Sequence, residues 1–312
     1  MSGWDASRVG DQSGKTVVIT GGNSGIGLEA GRILAAQGAT VVLACRDPER
    51  AETARAAIAP NAGGFVSTLA LDLADLDSVR TAAEKLATEH GSVDALVNNA
   101  GVMGGNHATT AQGFERQMGT NHIGHFLFTA KVWPLLSAAP AGRVVNVASI
   151  ASRGGKLDAS MTRETLVDPK PYKPNAVYSN TKQANLLFTR ELHRRLTAAG
   201  SPMRATAVHP GVSATNLFSR QLQEQGLGWF VWFAEHVVEP IGFQSAAMGA
   251  LPTLRAVVDP DVPSGQFVGP TFMRGWRGKP NVFDIFTVGS DAATATRLWE
   301  LTEEIVGEPF PV

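Results

Sequence analysis

Residues 17–27 read Val17-Val18-Ile19-Thr20-Gly21-Gly22-Asn23-Ser24-Gly25-Ile26-Gly27. The β-branched run Val17 to Ile19 predicts a buried strand. Leu28 to Gln37, directly downstream, predicts a helix. Between them the glycines permit a tight turn. Their missing side chains let backbone N–H groups approach an anion that the helix N-terminus attracts. Glycine-rich loops are common, so the turn by itself says little; placed between a strand and a helix, it predicts a pyrophosphate site. Gly21, Asn23, Ser24, Gly25, Ile26 and Gly27 are its candidate contacts.

The same alternation continues along the chain. Val41-Val42-Leu43, Ala95-Leu96-Val97, Val144-Val145-Asn146-Val147 and Ala205-Thr206-Ala207-Val208 predict further buried strands, and Ser78 to Glu89 and Ser179 to Ala198 predict helices. The spacings leave room for the crossovers that parallel neighbours require. The expected architecture is therefore an α/β fold, a doubly wound parallel sheet with helices on both faces. No repeat, low-complexity tract or linker divides the chain, so residues 1–312 read as one domain. Residues 151–175, rich in Gly, Pro, Lys and Ser, read as an insertion loop. Residues 213–240 contain Trp229-Phe230-Val231-Trp232-Phe233, either a C-terminal substrate lid or an association surface. The low local charge favours the lid, because interfacial helices carry a basic face. Residues 260–280 are again punctuated by Gly and Pro, and a last helix is expected from Asp291 to Val306.

Composition narrows the function classes. The chain of 312 residues is 44% hydrophobic and 18% charged, enough apolar content for a sizeable core. A net charge of −1 provides no general field for nucleic acid. Cys45 is the sole cysteine, so neither an intrachain disulfide nor a cysteine metal cluster can form. Met1 to Gly14 lacks the pattern of a signal peptide, and no run of about 20 apolar residues suggests an integral membrane anchor, so a cytoplasmic location is expected. His122 and His125 are spaced to share a helix face, but no third ligand accompanies them; they read as packing or pocket-edge residues, and no metal is expected. His209 reads as structural.

Cys45-Arg46 follows the second strand. An acidic side chain there would accept hydrogen bonds from an NAD ribose, whereas an arginine accommodates the 2′-phosphate of NADP. Arg46 thus predicts NADP(H), unless it merely pairs with Asp47 or Glu49 on the surface. Further along, Tyr178 and Lys182 are four residues apart and share a helix face. A nearby ammonium is expected to lower the phenol pKa from its usual value of about 10, towards the range where it exchanges protons at neutral pH. Such pairs also arise by chance. Ser149, just beyond the strand ending at Val147, lies where ligands bind at the carboxyl edge of a parallel sheet. Ser149, Ser152 and Ser160 are all local candidates to hold a substrate oxygen, and Ser149 also reads as a helix N-cap.

Taken together, these motifs resemble the short-chain dehydrogenase/reductase family, whose single-domain Rossmann fold the whole chain would share. Thr20-Gly21-x-x-x-Gly25-x-Gly27 resembles its cofactor turn, and Asp72-Leu73 its adenine-holding pair. Asn98-Asn99-Ala100-Gly101 resembles the segment beside the cofactor, giving Asn98, Ala100 and Gly101 as contacts. His209-Pro210-Gly211-Val212 through Thr215 resembles the nicotinamide flank, giving Pro210, Gly211, Val212 and Thr215. The resemblance assigns a catalytic tetrad of Asn121, Ser149, Tyr178 and Lys182, in which Asn121 relays protons through water to Lys182, and Tyr178 and Lys182 also contact the cofactor. Ala44-Cys45-Arg46-Asp47, Asn121-His122-Ile123-Gly124-His125-Phe126 and Lys182-Gln183-Ala184-Asn185 are most similar to the retinol dehydrogenase and carbonyl reductase-like branch. Thr181 departs from the serine more usual there, and the N-terminal anchor helix of many retinol dehydrogenases has no counterpart.

What the resemblance implies is hydride transfer between NADP(H) and the carbonyl or alcohol of an apolar small molecule, with Tyr178 as general acid/base, and a homodimer through the helix bearing Tyr178. Two rival readings use the same nucleotide fold. A redox sensor would not need the four proton-handling residues, and epimerases and dehydratases space the first glycines more tightly.

Overall fold

A computed structural model describes residues 3–211, 244–272, 275–284 and 291–312. The expected lid at 213–240, with Trp229 to Phe233, lies outside the described residues, as do Val212 and Thr215.

Eight strands form one sheet in the order β3-β2-β1-β4-β5-β6-β7-β8. They are β1 (Thr16–Thr20), β2 (Thr40–Cys45), β3 (Val66–Ala70), β4 (Ala95–Asn98), β5 (Arg143–Val147), β6 (Arg204–Val208), β7 (Gln266–Phe272) and β8 (Arg277–Asp284). Pairing is parallel as far as β7, and β8 returns antiparallel to it. The expected parallel sheet is thus mixed at its last edge. Strands β7 and β8 occupy the stretch whose Gly and Pro residues suggested irregular chain. Pro280 is tolerated because β8 is an edge strand, where a missing N–H costs no ladder bond.

Both faces of the sheet are buried, and the period of two divides its residues between them. Val18, Val42, Leu96 and Val144 point into one core; Val17, Ile19, Val41, Leu43, Val97 and Val145 point into the other. Helix α1 (Gly25–Ala36) lies on the second face beside the helix at Ala246–Val258. Helix α2 (Pro48–Ile58) starts at an Asp47 side chain that accepts the Arg50 amide, with Pro48 in the first turn, where its missing N–H is harmless. Helix α3 (Leu76–Glu89) buries Leu76, Val79, Ala82, Ala83 and Leu86, a stripe at helical spacing that faces the first core.

That core also receives α4 (Gly124–Lys131), α5 (Pro174–Ala198) and the C-terminal α7 (Ala292–Val306), whereas α6 (Ala246–Val258) packs on the opposite face: α4 and α5 supply Phe126 and Phe188, and α7 covers both with Trp299. Trp299 meets Phe126 edge-on at 5.1 Å between ring centroids and lies 4.7 Å from Phe310, while the Arg195 guanidinium sits 4.4 Å from its ring. Residues 151–175 contribute a 3₁₀ segment at Ile150–Gly154 and a short helix at Arg163–Val167, so the insertion is partly ordered by its own hydrogen bonds. It also clasps α5: Leu157 N–H donates to Gln183 Oε1 and Lys156 N–H to Asn180 Oδ1.

Trp299 is 1% exposed, so Trp299→Ala should cost about 3–5 kcal/mol, the usual range for emptying a large aromatic site. Its indole N–H has no partner, so Trp299→Phe should cost distinctly less than Ala. Denaturant titration of the three proteins tests this, and equal losses for both variants would contradict it.

Candidate active site

The strand order reverses between β1 and β4, and the carboxyl ends of these strands open a cleft of about 810 Å³. The turn after β1 forms one wall. Gly21 adopts a left-handed φ of 65°, and a Cβ there would stand 3.0 Å from the Ala100 Cα. A Cβ on Gly27 would lie 2.6 Å from the Asn99 side-chain nitrogen. Only glycine permits both approaches. Ser24 caps α1 in position but makes no side-chain cap bond, which leaves the helix entrance to an anion from the cleft.

Gly21, Asn23, Ser24, Gly25, Ile26, Gly27, Arg46, Asp72, Leu73, Ala100, Gly101, Ser149, Tyr178, Lys182, Pro210 and Gly211 all line this one cleft. Arg46 is exposed at the end of β2 and forms no ion pair with Asp47 or Glu49 among the described residues; the Asp47 carboxylate caps α2 instead. Sequence reading missed Arg50, one turn into α2, which lines the cleft beside Arg46. It also missed Asn99, whose side chain donates to the Thr20 carbonyl at 2.8 Å, and Trp276, 48% exposed on the wall. Neither Arg50 nor Trp276 carried a local signal: the place of Arg50 depends on how α2 leaves β2, and Trp276 comes from the turn between β7 and β8.

One residue is placed differently from expectation. Asn98 does not reach the cleft. Its side chain is buried and donates to Thr129 Oγ1 at 3.0 Å and Asn146 Oδ1 at 2.8 Å, tying β4 to β5 and α4; its neighbour Asn99 takes the cleft position. This follows from strand alternation, which turns consecutive side chains to opposite faces. Asn121, in a π-helical turn at Gly119–Ile123, is fully buried behind the wall. Its Oδ1 accepts the Val102 amide at 2.8 Å, and its Nδ2 donates to the Val102 carbonyl at 2.9 Å and to Thr181 Oγ1 at 3.1 Å. These bonds fix the side chain, whose Oδ1 shares the surroundings of Gly101 with Lys182 Nζ.

Among the three serines the geometry favours Ser149. Ser152 is buried away from the cleft and Ser160 is bonded to Asp158. Ser149 caps the 3₁₀ segment by accepting the Ala151 amide at 3.2 Å, and it hydrogen-bonds the Tyr178 hydroxyl. Lys182 Nζ lies 5.8 Å from the Tyr178 ring centre and donates to the Val147 carbonyl at 3.0 Å. Burial pushes the Tyr178 phenol up to about 12, opposed by the Ser149 bond, and pushes Lys182 down to about 8. The expected lowering of the phenol by the ammonium is therefore outweighed by burial, which disfavours the charged form of each group.

His209, at the end of β6, accepts the Gly211 amide at 3.0 Å and stacks on Phe267, which fixes the turn presenting Pro210 and Gly211. His122 bonds Thr302, while His125 bonds Thr20, so the two do not converge on a metal. Among the described residues no group of three His, Cys, Asp or Glu could hold one, and no helix is long and apolar enough to cross a membrane.

Comparison with known proteins gives the family. The short chain dehydrogenase profile matches residues 15–161. Retinol dehydrogenase 12 of Mus musculus is 37% identical over 297 residues, covering 94% of this chain and 87% of that protein. The chain belongs to the short-chain dehydrogenase/reductase family, in its retinol dehydrogenase-like branch. Retinol dehydrogenase 13 of Homo sapiens is 42% identical over 205 residues, 65% of this chain and 60% of that one. A crystal structure of an uncharacterised protein from Mycobacterium paratuberculosis superposes over 100% of both chains with a TM-score of 0.79 at 39% identity. As a short-chain dehydrogenase/reductase the protein is an oxidoreductase that uses a nicotinamide cofactor, and the glycine turn and the open α1 entrance fit the diphosphate of such a cofactor.

Burial also holds three histidines of this dehydrogenase neutral. Their pKa values fall from 6.5 to about 3 for His125 and about 4 for His122 and His209. The unfolded chain binds these protons first, so stability is full above pH 6.5 and is lost as pH falls towards about 4. The slope should approach about 1.4 kcal/mol per pH unit for each histidine. Urea midpoints across that window test this; a flat profile would contradict it.

Proposed function

We propose that the protein is an NADP(H)-dependent oxidoreductase that interconverts a ketone or aldehyde with the corresponding alcohol on an apolar small molecule, with Tyr178 as general acid/base. The observation that carries this reading is the Tyr178 hydroxyl bonded to Ser149, with Lys182 beside its ring, on the wall of the cleft that begins at the glycine turn. Bound in that cleft, the nicotinamide supplies or accepts the hydride.

The residues then divide the remaining work. Ser149 accepts the Ala151 amide through its oxygen and directs its own proton at the Tyr178 oxygen, and rotation of that hydroxyl would serve a substrate oxygen seated beside both. Tyr178, held as a phenol at neutral pH, has the proton that a reduced carbonyl oxygen must receive. Lys182, brought down to about 8, titrates near neutrality and can return a proton to the tyrosine. Val102, Met103, Ile150 and Ala151 give the neighbouring wall its apolar character, which supports an apolar substrate. Arg46 and Arg50 together support NADP(H), since paired guanidinium groups at the end of β2 suit a 2′-phosphate. A homodimer through α5 is not favoured: α7 and the insertion loop sheathe that helix, and a partner would first have to displace them.

Tyr178→Phe should bind NADPH as wild type does and lose turnover by about 100-fold or more, as removal of a general acid does. NADPH consumption with a panel of aldehydes and ketones measures it, and turnover within about tenfold of wild type would reject the assignment of Tyr178. Arg46→Ala and Arg50→Ala should each shift the NADPH to NADH ratio of kcat/KM towards NADH, by about tenfold for loss of one charge-assisted phosphate contact. An unchanged ratio in both variants would sink the NADP preference.

A further inference from the structure

His125 lies fully buried on α4, and both of its ring nitrogens are engaged. Nε2 is 2.8 Å from Thr20 Oγ1, and Nδ1 is 3.0 Å from the Asn121 carbonyl oxygen. Thr20 Oγ1 already accepts the amides of Asn99 and Ala100, each at 2.9 Å. Its one proton needs an acceptor, and His125 Nε2 is nearer than the Val97 carbonyl at 3.3 Å. That assigns the tautomer: Nε2 accepts from Thr20, and Nδ1–H donates to Asn121. Burial keeps the ring neutral, and the Lys182 charge acts in the same direction, so the tautomer holds near neutral pH.

The connection continues beyond the ring. Asn121 Nδ2 donates to Thr181 Oγ1 at 3.1 Å, and Thr181 Oγ1 donates to the Tyr178 carbonyl at 2.8 Å. One end of this chain is the residue immediately before the glycine turn; the other is the turn of α5 that carries Tyr178 and Lys182. His125 is its central link, the group that crosses from β1 to the π-helical turn. Such turns are rare and frequently occur at functional sites.

We propose that His125 is a positioning residue that sets the cofactor turn in register with the Tyr178–Lys182 helix by bridging the Thr20 hydroxyl to the Asn121 carbonyl. This rests on the function proposed above. Neither the cofactor turn nor α5 touches the other directly through these groups, so the bridge decides the relative placement of hydride and proton donors, where small displacements are costly.

Two substitutions separate the two bonds. His125→Asn keeps a donor near the Nδ1 position for the Asn121 carbonyl and abandons Thr20; His125→Gln keeps an acceptor for Thr20 and abandons Asn121. Both should lose kcat by about tenfold or more, with the KM for the carbonyl substrate changed by less than about twofold. NADPH binding without substrate, read by tryptophan fluorescence, should weaken in His125→Asn and stay near wild type in His125→Gln. Amide exchange at Asn99 and Ala100 should accelerate only in His125→Asn. In the wild-type protein, nitrogen NMR of labelled histidines should show His125 as the neutral Nδ1–H tautomer. An Nε2–H tautomer would overturn the proposal without any variant having to fold, and so would kcat within about twofold of wild type in both variants, since packing alone then explains the residue. If the wild-type protein turns over no carbonyl or alcohol, the proposed function fails; the exchange and NADPH-binding contrast still tests the bridge on its own.

Discussion

The hydroxyl of Thr20 sits where the sheet order reverses, and the rest of the site depends on it. At that point β1 and β4 diverge, and as β4 ends the Ala100 amide turns to a side chain while the Asn99 amide divides between one and the Val97 carbonyl. Thr20 Oγ1 accepts both. Because those amides are drawn to β1, the Ala100–Gly101 segment lies against Gly21, which is why neither Gly21 nor Gly27 has space for a side chain. The same contact that closes the switch point thereby shapes the phosphate turn. A cleft at this position is the general outcome of a doubly wound sheet; a cleft with this wall is the outcome of one threonine.

From the switch point outward, packing is divided by the alternation of strand side chains. The core containing Leu34 and Leu254 fixes α1, and with it the direction of the turn amides. The other core, built on Phe126, Phe188 and Trp299, fixes α4 and α5, and with them Asn121, Tyr178 and Lys182. Cofactor-facing and proton-handling groups thus belong to opposite faces of one sheet. Their alignment cannot come from either core alone: the Thr20 hydroxyl, at the root of the cofactor turn, bonds His125 on α4, and Asn98 and Asn146 tie β4 and β5 to α4 and α5. Polar groups in so dry an interior are costly unless paired, and once paired they specify a single arrangement.

How much of this was legible in the sequence followed from how local each feature is. The central strands carry uninterrupted β-branched runs because they are covered on both faces, and they were readable within a residue or two of their ends. Strand β3 reads Val66-Ser67-Thr68-Leu69-Ala70, an edge strand with half-exposed positions and a weaker run. Strands β7 and β8 contain Pro270 and Pro280, which face each other in register beside a bulge, so their local signature is that of a loop. Gly21 to Gly27, Arg46, Ser149, Tyr178 and Lys182 were readable because each stands at a fixed offset from a recognisable strand or helix. Arg50 and Trp276 were not, since their part in the cleft depends on α2 and on the β7–β8 hairpin. Asn98 and Asn99 illustrate the limit of motif reading: the motif located the segment, and the pleat decided which of the two asparagines faces the cleft.

The Tyr178–Lys182 pair shows the same limit in its electrostatics. Helical spacing brings an ammonium to a phenol, and Coulomb attraction by itself would lower the phenol pKa. Burial acts on both partners, however, and in opposite directions, raising the phenol and lowering the ammonium. Near neutrality the tyrosine therefore keeps its proton, and the lysine is the group close to titration. For carbonyl reduction that order is useful: the proton waits on the residue that touches Ser149, and its replacement comes from the residue behind it. Nothing in the spacing of two residues reveals this, because the burial that causes it is supplied by Val147, Gly101 and the far side of α5, brought together only by the fold.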